Sequence, residues 1–178
     1  MSTMTPKPEE TILDVGVSSF VGRATNFLEL WYPHQEKITA LTNENEERFN
    51  EFKNQFPLSN LVLGDGKDLK FADNEFDIVF SNAVIEHLFD FKSFMEEVHR
   101  VLKVGGKLYF RVLLAFTHVD SKDPTHKQHL TPDSFNHFVK GGKRSQITTA
   151  KFNGKIWVTP ILFHRLRFPS YFYYFNSI

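Results

Sequence analysis

Four short stretches of this 178-residue chain gather residues whose types can do chemistry. Asp14-Val15-Gly16 closes one apolar run, and Gly64-Asp65-Gly66 closes another. Ser81-Asn82-Ala83 follows a third, with Glu86 and His87 just beyond it. The fourth stretch is Asp123 to Phe135, DPTHKQHLTPDSF. Histidine titrates close to neutrality, so His87 is a candidate to take a proton from a hydroxyl or an amine, and His126 is a candidate to orient its loop or touch substrate. The competing reading of His87 is a capping or packing residue. His126 and His129 stand three apart, which raises a metal site. Two histidines without a third ligand of known position argue only weakly for one, and none is expected. The chain has no Cys, which excludes disulfides, thiolate-held zinc, iron–sulfur clusters and thiol catalysis.

The elements that must position these residues alternate along the chain. Five apolar runs read as strands: Thr11 to Val15, Lys37 to Thr42, Asn60 to Leu63, Phe76 to Ser81 and Lys107 to Leu114. Arg23 to Trp31 reads as a short helix stopped by Pro33. Glu44 to Phe56 spaces Phe49, Phe52 and Phe56 for a second, which Pro57 ends. Phe91 to Leu102 sets Phe94, Met95, Val98 and Val101 on one helical face and stops at Gly105-Gly106. Thr131-Pro132-Asp133 predicts a further helix, with Thr131 as N-cap and Gly141-Gly142 as its end. Asn153-Gly154, between Ile147 to Phe152 and Lys155 to Thr159, signals a hairpin. Strand–helix alternation with short links implies a doubly wound α/β fold, its mainly parallel sheet covered on both faces. The hairpin adds antiparallel strands at one edge. Ligands of such sheets sit beyond the carboxyl ends of the strands, at the switch point. Asp14 to Phe20, Leu41 to Glu44, Gly64 to Gly66 and Ser81 to His87 all fall there.

Two segments carry a family resemblance: Gly64 to Leu88, GDGKDLKFADNEFDIVFSNAVIEHL, and Glu97 to Gly106, EVHRVLKVGG. In this order they resemble class I S-adenosylmethionine-dependent methyltransferases, in particular the type 11 group, over roughly Glu10 to Phe138. The resemblance implies a Rossmann-like sheet of seven strands and one domain over residues 1–178. Residues 1–10 would be a flexible lead-in and 161–178 an aromatic tail. It implies S-adenosylmethionine as cofactor, held by Asp14, Gly16, Ser18, Thr42, Asp65, Gly66, Ser81 and Asn82. Asp65 would accept from the adenine amine, and Asp14 would organise the methionine end. His87 and His126 would stand at the acceptor mouth as catalytic residues. The DPTH stretch resembles a segment of methyltransferases near surface-glycan pathways. The implied acceptor is a small molecule, a sugar or glycan, or a lipid-linked molecule.

The chain departs from the family pattern in two places. In ILDVGVSSF, Ser18 and Phe20 stand where the second and third glycines of the loop belong. Thr42 stands where an acid would accept both ribose hydroxyls, and Glu44 follows two residues on. These departures leave open a catalytically degenerate relative that acts as a binding or partner module. A nicotinamide-dependent dehydrogenase would want G-x-G-x-x-G and an acid after the second strand, and both are missing. Lys plus Arg and Asp plus Glu each total 21, so no general pull toward nucleic acid is expected. No apolar run is long enough to span a membrane and the first ten residues lack an apolar core, so a cytoplasmic protein is expected. The aromatic tail is expected to complete the core or form a homodimer surface.

Overall fold

A computed structural model describes residues 4–18, 26–113, 115–141, 148–153, 159–160 and 170–177. Its elements in chain order begin with β1 (Ile12–Val15), α1 (Phe27–Trp31), β2 (Ile38–Thr42), α2 (Glu46–Gln55) and β3 (Asn60–Leu63). Then come β4 (Phe76–Asn82), α3 (Phe91–Val101), β5 (Leu102–Leu113) and α4 (His118–Lys122). Three strands close the chain: β6 (Phe152–Asn153), β7 (Thr159–Pro160) and β8 (Ser170–Ser177). Strands β3, β2, β1, β4 and β5 lie side by side in that order, all parallel. The order reverses between β1 and β4, which is the switch point of the sheet.

Both faces of β1, β2 and β4 are buried, so alternate residues feed two cores, while the edge strand β3 is partly exposed. Ile12, Ile38, Ala40, Ile78 and Phe80 pack with Leu28 of α1 and Phe52 of α2. Leu13, Val15, Leu41, Val79, Leu108 and Phe110 pack with Phe94, Met95, Val98 and Val101 of α3. Asn45 caps α2 by accepting from the Arg48 amide, and Asp90 caps α3 by accepting from the Ser93 amide. Met4 packs against the first of these cores, and the Tyr32 hydroxyl donates to the Lys7 carbonyl, so contacts tie the expected lead-in to the domain.

The far edge differs from expectation. Strand β8, from the aromatic tail, pairs antiparallel with β5. Its other edge takes both β6 and β7, at Phe152↔Ser177 and Thr159↔Phe172. The sheet thus has eight strand segments among the described residues, five of them parallel, in seven positions because β6 and β7 share one edge of β8. Segments β6 and β7 lie end to end along β8 instead of pairing as a hairpin. A two-stranded hairpin is marginal alone, whereas the edge of an eight-residue strand offers a row of unpaired N–H and C=O groups. The turn at Gly154 lies outside the described residues, as does the tail from 161 to 169. The tail's last strand fills a place in the chain's own sheet, so its backbone edges are occupied from within.

The helix expected from Thr131 is a single 3-10 turn, Pro132–Phe135, with Thr131 and Ser134 forming a capping box. Beyond it the chain pairs with β6: the Phe138 carbonyl accepts from the Phe152 amide. The Lys140 amide donates in turn to the Phe152 carbonyl. The expected helix from Arg23 is described only from Phe27 onward. No described helix is long and apolar enough to cross a membrane.

Candidate active site

Register places the expected cofactor residues along one edge of the sheet. Val15 pairs with Leu41 on one side and Ser81 on the other, and Thr42 pairs with Leu63. Beyond β1 the chain turns at Gly16, whose φ of +95° suits glycine. A Cβ there would clash with Val84 Cγ2. The amides of Gly16 and Val17 both donate to the Leu41 carbonyl, at 2.8 and 3.1 Å, which ties the turn to β2. Next, the Ser18 amide donates to Asn26 Oδ1, and Asn26 Nδ2 donates back to the Ser18 carbonyl. A buried asparagine therefore fixes the turn where the family uses further glycines. Phe20 lies outside the described residues.

Thr42 is buried, and its Oγ1 accepts from the Glu44 amide at 3.2 Å. The carboxylate of Glu44 reaches across to the first loop and accepts from Ser18 Oγ at 2.7 Å. Asp65 sits in a tight turn: its Oδ1 accepts from the Lys67 amide, while its side chain stays 54% exposed. Gly66 packs so closely that a Cβ would come within 3.2 Å of Phe94 and 3.3 Å of Val15. The segment after this turn is held to α3 by Arg100, which donates to the carbonyls of Leu69 and Phe71 and to Asp73 and Glu97. Ser81 Oγ donates to the Val15 carbonyl, and Asn82 Oδ1 accepts from Arg111 Nε. The side chains of Ser81 and Asn82 are therefore used to join strands, and Ala83 follows with φ of +56°.

Two buried acidic features stand at this edge. Asp14 is buried and its Oδ2 has no hydrogen-bond partner among the described residues. Burial, and then the charge of Glu29, push its carboxyl well above the usual range. Glu29 of α1 is itself fully buried, and burial raises its carboxyl to about 7. The second feature is Glu86, in the 3-10 turn Ile85–His87 after β4. Neither of its carboxylate oxygens has a hydrogen-bond partner of good geometry among the described residues. Burial raises its carboxyl too, while its own backbone amide, then the nearby imidazoles of His87 and His126, and the Leu113 amide pull the other way. The sequence reading missed Glu29 and Asn26, since an acid within FLELW reads as the polar face of a helix.

The structure brings His87 and His126 together. Their rings meet edge to face with centroids 4.9 Å apart. The strap bearing His126 is pinned to the 3-10 turn because the amides of Lys127 and Gln128 both donate to the Glu86 carbonyl. His126 Nδ1 lies 2.9 Å from the Asp120 carbonyl, and His87 Nδ1 lies 3.0 Å from Thr125 Oγ1. His129, the partner that spacing alone offers His126, instead meets Asp120 Oδ2 at 2.8 Å. Asp120 belongs to α4, which the sequence reading left unassigned.

Residues 13–110, a little over half the chain, match the family model described as a methyltransferase domain. The chain belongs to this methyltransferase family. S-adenosylmethionine is therefore its expected cofactor. Over 106 residues it is 35% identical to a glycine/sarcosine/dimethylglycine N-methyltransferase from Actinopolyspora halophila, covering 58% of this chain and 18% of that protein. Over 133 residues it is 28% identical to a probable tocopherol O-methyltransferase from Oryza sativa, covering 73% and 35%. The chain thus spans about a third or less of the length of these relatives. The fold is shared with a methyltransferase from Methanosarcina mazei, at 16% identity and a TM-score of 0.67, covering 97% of this chain and 94% of that one. It is shared as well with a methyltransferase from Aquifex aeolicus, at 19% identity and a TM-score of 0.66, covering 95% and 82%.

Proposed function

We propose that this methyltransferase acts on a small-molecule, sugar or glycan, or lipid-linked acceptor, bound at the mouth where His87 and His126 meet. The observation that carries the reading is the convergence, on one sheet edge, of an exposed Asp65 carboxylate, the Gly16 turn and that histidine pair. The residues fit the cofactor. Asp65 keeps acceptor capacity beyond its bond to the Lys67 amide, since an ionised carboxylate has about four lone-pair sites. Asp14 Oδ2 is a buried acceptor without a partner at the methionine end. With Thr42 turned inward, the acid nearest the ribose position is Glu44, already linked to Ser18.

S-adenosylmethionine supplies a sulfonium-activated methyl group, so the reaction needs alignment more than side-chain chemistry. Asp65, Glu44 and Asp14 bind and orient. The Gly16 and Gly66 turns let backbone come close, and Asn26 holds the first loop. His87 and His126 face the acceptor, whose hydroxyl or amine must lose a proton. Relatives include both N- and O-methyltransferases, which supports a mouth open to either heteroatom.

Calorimetric titration with S-adenosylmethionine and S-adenosylhomocysteine tests the reading. Micromolar binding is expected, weakened at least about tenfold in Asp65→Ala. His87→Ala is expected to cut turnover while cofactor affinity holds. A folded wild-type protein that binds neither molecule would overturn the proposal and turn the search to a partner-binding role.

A further inference from the structure

One group at the acceptor mouth is not accounted for by methyl transfer alone. Glu86 is a buried carboxylate whose two oxygens find no hydrogen bond of good geometry among the described residues; only the amides of Glu86 itself and of Leu113 lie near enough to act on it. A buried carboxylate left in that state is costly, and such groups are normally paired, hydrogen-bonded or bound to metal. The nearby cation, Arg111, interacts with the Glu86 charge but directs its Nε to Asn82 Oδ1 and makes no direct salt bridge to Glu86 among the described residues. What faces Glu86 instead is a pair of imidazoles: one potential ligand atom from each of Glu86, His87 and His126 falls within 4.8 Å of the others.

The hydrogen bonds around the two rings settle which nitrogens are available. His126 Nδ1 contacts a backbone carbonyl, which can only accept, so Nδ1 carries the proton and donates. The Thr125 hydroxyl has one proton, which it donates to Asp123 Oδ1 at 2.6 Å. The Thr125 oxygen therefore accepts from His87 Nδ1–H at 3.0 Å. Both rings are thus fixed with Nδ1 donating and the Nε2 lone pair free. Metal-binding histidines are usually oriented this way, by a carbonyl or a carboxylate-linked group behind the ring. One oxygen of Asp123 also stands 3.8 Å from His126 Nε2.

We propose that Glu86, His87 and His126 form a binding site for a divalent first-row transition ion at the acceptor mouth. The proposal rests on the reading of that mouth as the acceptor's, and it deepens it. Two imidazoles and a carboxylate suit Zn²⁺, Mn²⁺, Fe²⁺ or Co²⁺ better than Mg²⁺ or Ca²⁺, which prefer all-oxygen sets. Bonds of about 2.1 Å to a common ion require the three side chains to close by a modest rotation. Three protein ligands leave at least one position open. An acceptor hydroxyl oxygen bound there would lose its proton more readily, as metal-bound water does. The favoured acceptor is then one that offers an oxygen ligand, such as a sugar hydroxyl or a hydroxy acid. The sequence spacing points to His126 with His129, whereas the fold pairs His126 with His87 and Glu86.

The test is metal binding by itself. Protein stripped with a chelator is titrated with Co²⁺, followed by visible absorbance, and with Zn²⁺ by calorimetry, without cofactor or acceptor. One ion per chain is expected. Glu86→Gln, which keeps the side-chain shape, and His87→Ala, at an exposed position, should each weaken binding at least about tenfold. His129→Ala should leave it unchanged. No stoichiometric binding would overturn the site, as would binding that survives Glu86→Gln but is lost in His129→Ala. Circular dichroism confirms that each variant folds. The same samples are titrated with S-adenosylhomocysteine: lost metal binding with intact cofactor binding concerns the ion alone, and the reverse concerns the methyltransferase reading.

Discussion

The edge of the sheet after β1 and the mouth after β4 solve different physical problems. At the first, backbone is locked by local packing: Gly16 against Val84, its amide on Leu41, and Asn26 clasping Ser18. At the second, side chains from well-separated stretches converge, with His87 and His126 in contact across 39 positions of sequence. Their buried acids differ in the same way. Asp14 lies beside another acid, Glu29, whose charge adds to burial in raising the Asp14 carboxyl, while burial raises that of Glu29. Glu86 lies beside imidazoles, which oppose the effect of burial.

The sharpest way to break the contrast is Gly16→Ala. The added methyl meets Val84 and forces a strained φ, and we expect a loss of roughly 3 kcal/mol in urea unfolding. Adding Val84→Ala should restore only the steric share. Full recovery would show that the backbone conformation costs nothing there.

Glu29→Gln tests the buried acid of the first region. With its carboxyl raised to about 7 from an ordinary 4.5, the folded protein keeps a proton that the unfolded chain releases between those values. Stability from the neutral form is full below about pH 4.5 and is lost as pH rises through about 7, by about 3 kcal/mol in all. The variant should lack most of this slope. An unchanged profile of unfolding free energy between pH 5 and 8 would refute the assignment.

Arg100→Met removes the latch that holds the segment after Asp65 to α3. Cofactor affinity should fall about fivefold, near 1 kcal/mol, with the sheet intact. Equal affinity in calorimetry would mean that the turn holds itself. The smallest effect is expected from Thr125→Val, which unties His87 from Asp123. Turnover should drop severalfold with cofactor affinity unchanged, and a parallel loss of both would place Thr125 in the fold rather than behind the histidine.

Much of the fold was legible because its signals are local. The run NLVL is β3 to the residue, and the helix expected over Phe91 to Leu102 ends one residue earlier. Pro57 marks the end of α2 through its own backbone limits, whereas Gly105-Gly106, expected to end α3, lie inside β5, which begins directly at Leu102. The misreadings are non-local. Thr131 and Pro132 do start a helical turn, but beyond it the chain pairs with Phe152 of β6. Asn153-Gly154 signals a hairpin, yet β8 claims both flanking segments. At the site, the positions of Gly16 and Asp65 follow from chain order and strand ends. The inward turn of Thr42, the reach of Glu44 to Ser18 and the burial of Glu29 do not.

By itself the sequence determined the alternation of strands and helices, the switch-point edge and the family, since each rests on residue type and spacing along the chain. Tertiary structure alone decided that His126 partners His87 and Glu86 rather than His129. It alone buried the Glu86 carboxylate beside the two imidazoles. The reason is physical: sequence spacing governs what lies on one face of an element, while contacts between a strap and a distant turn depend on how the packed sheet brings their backbones together.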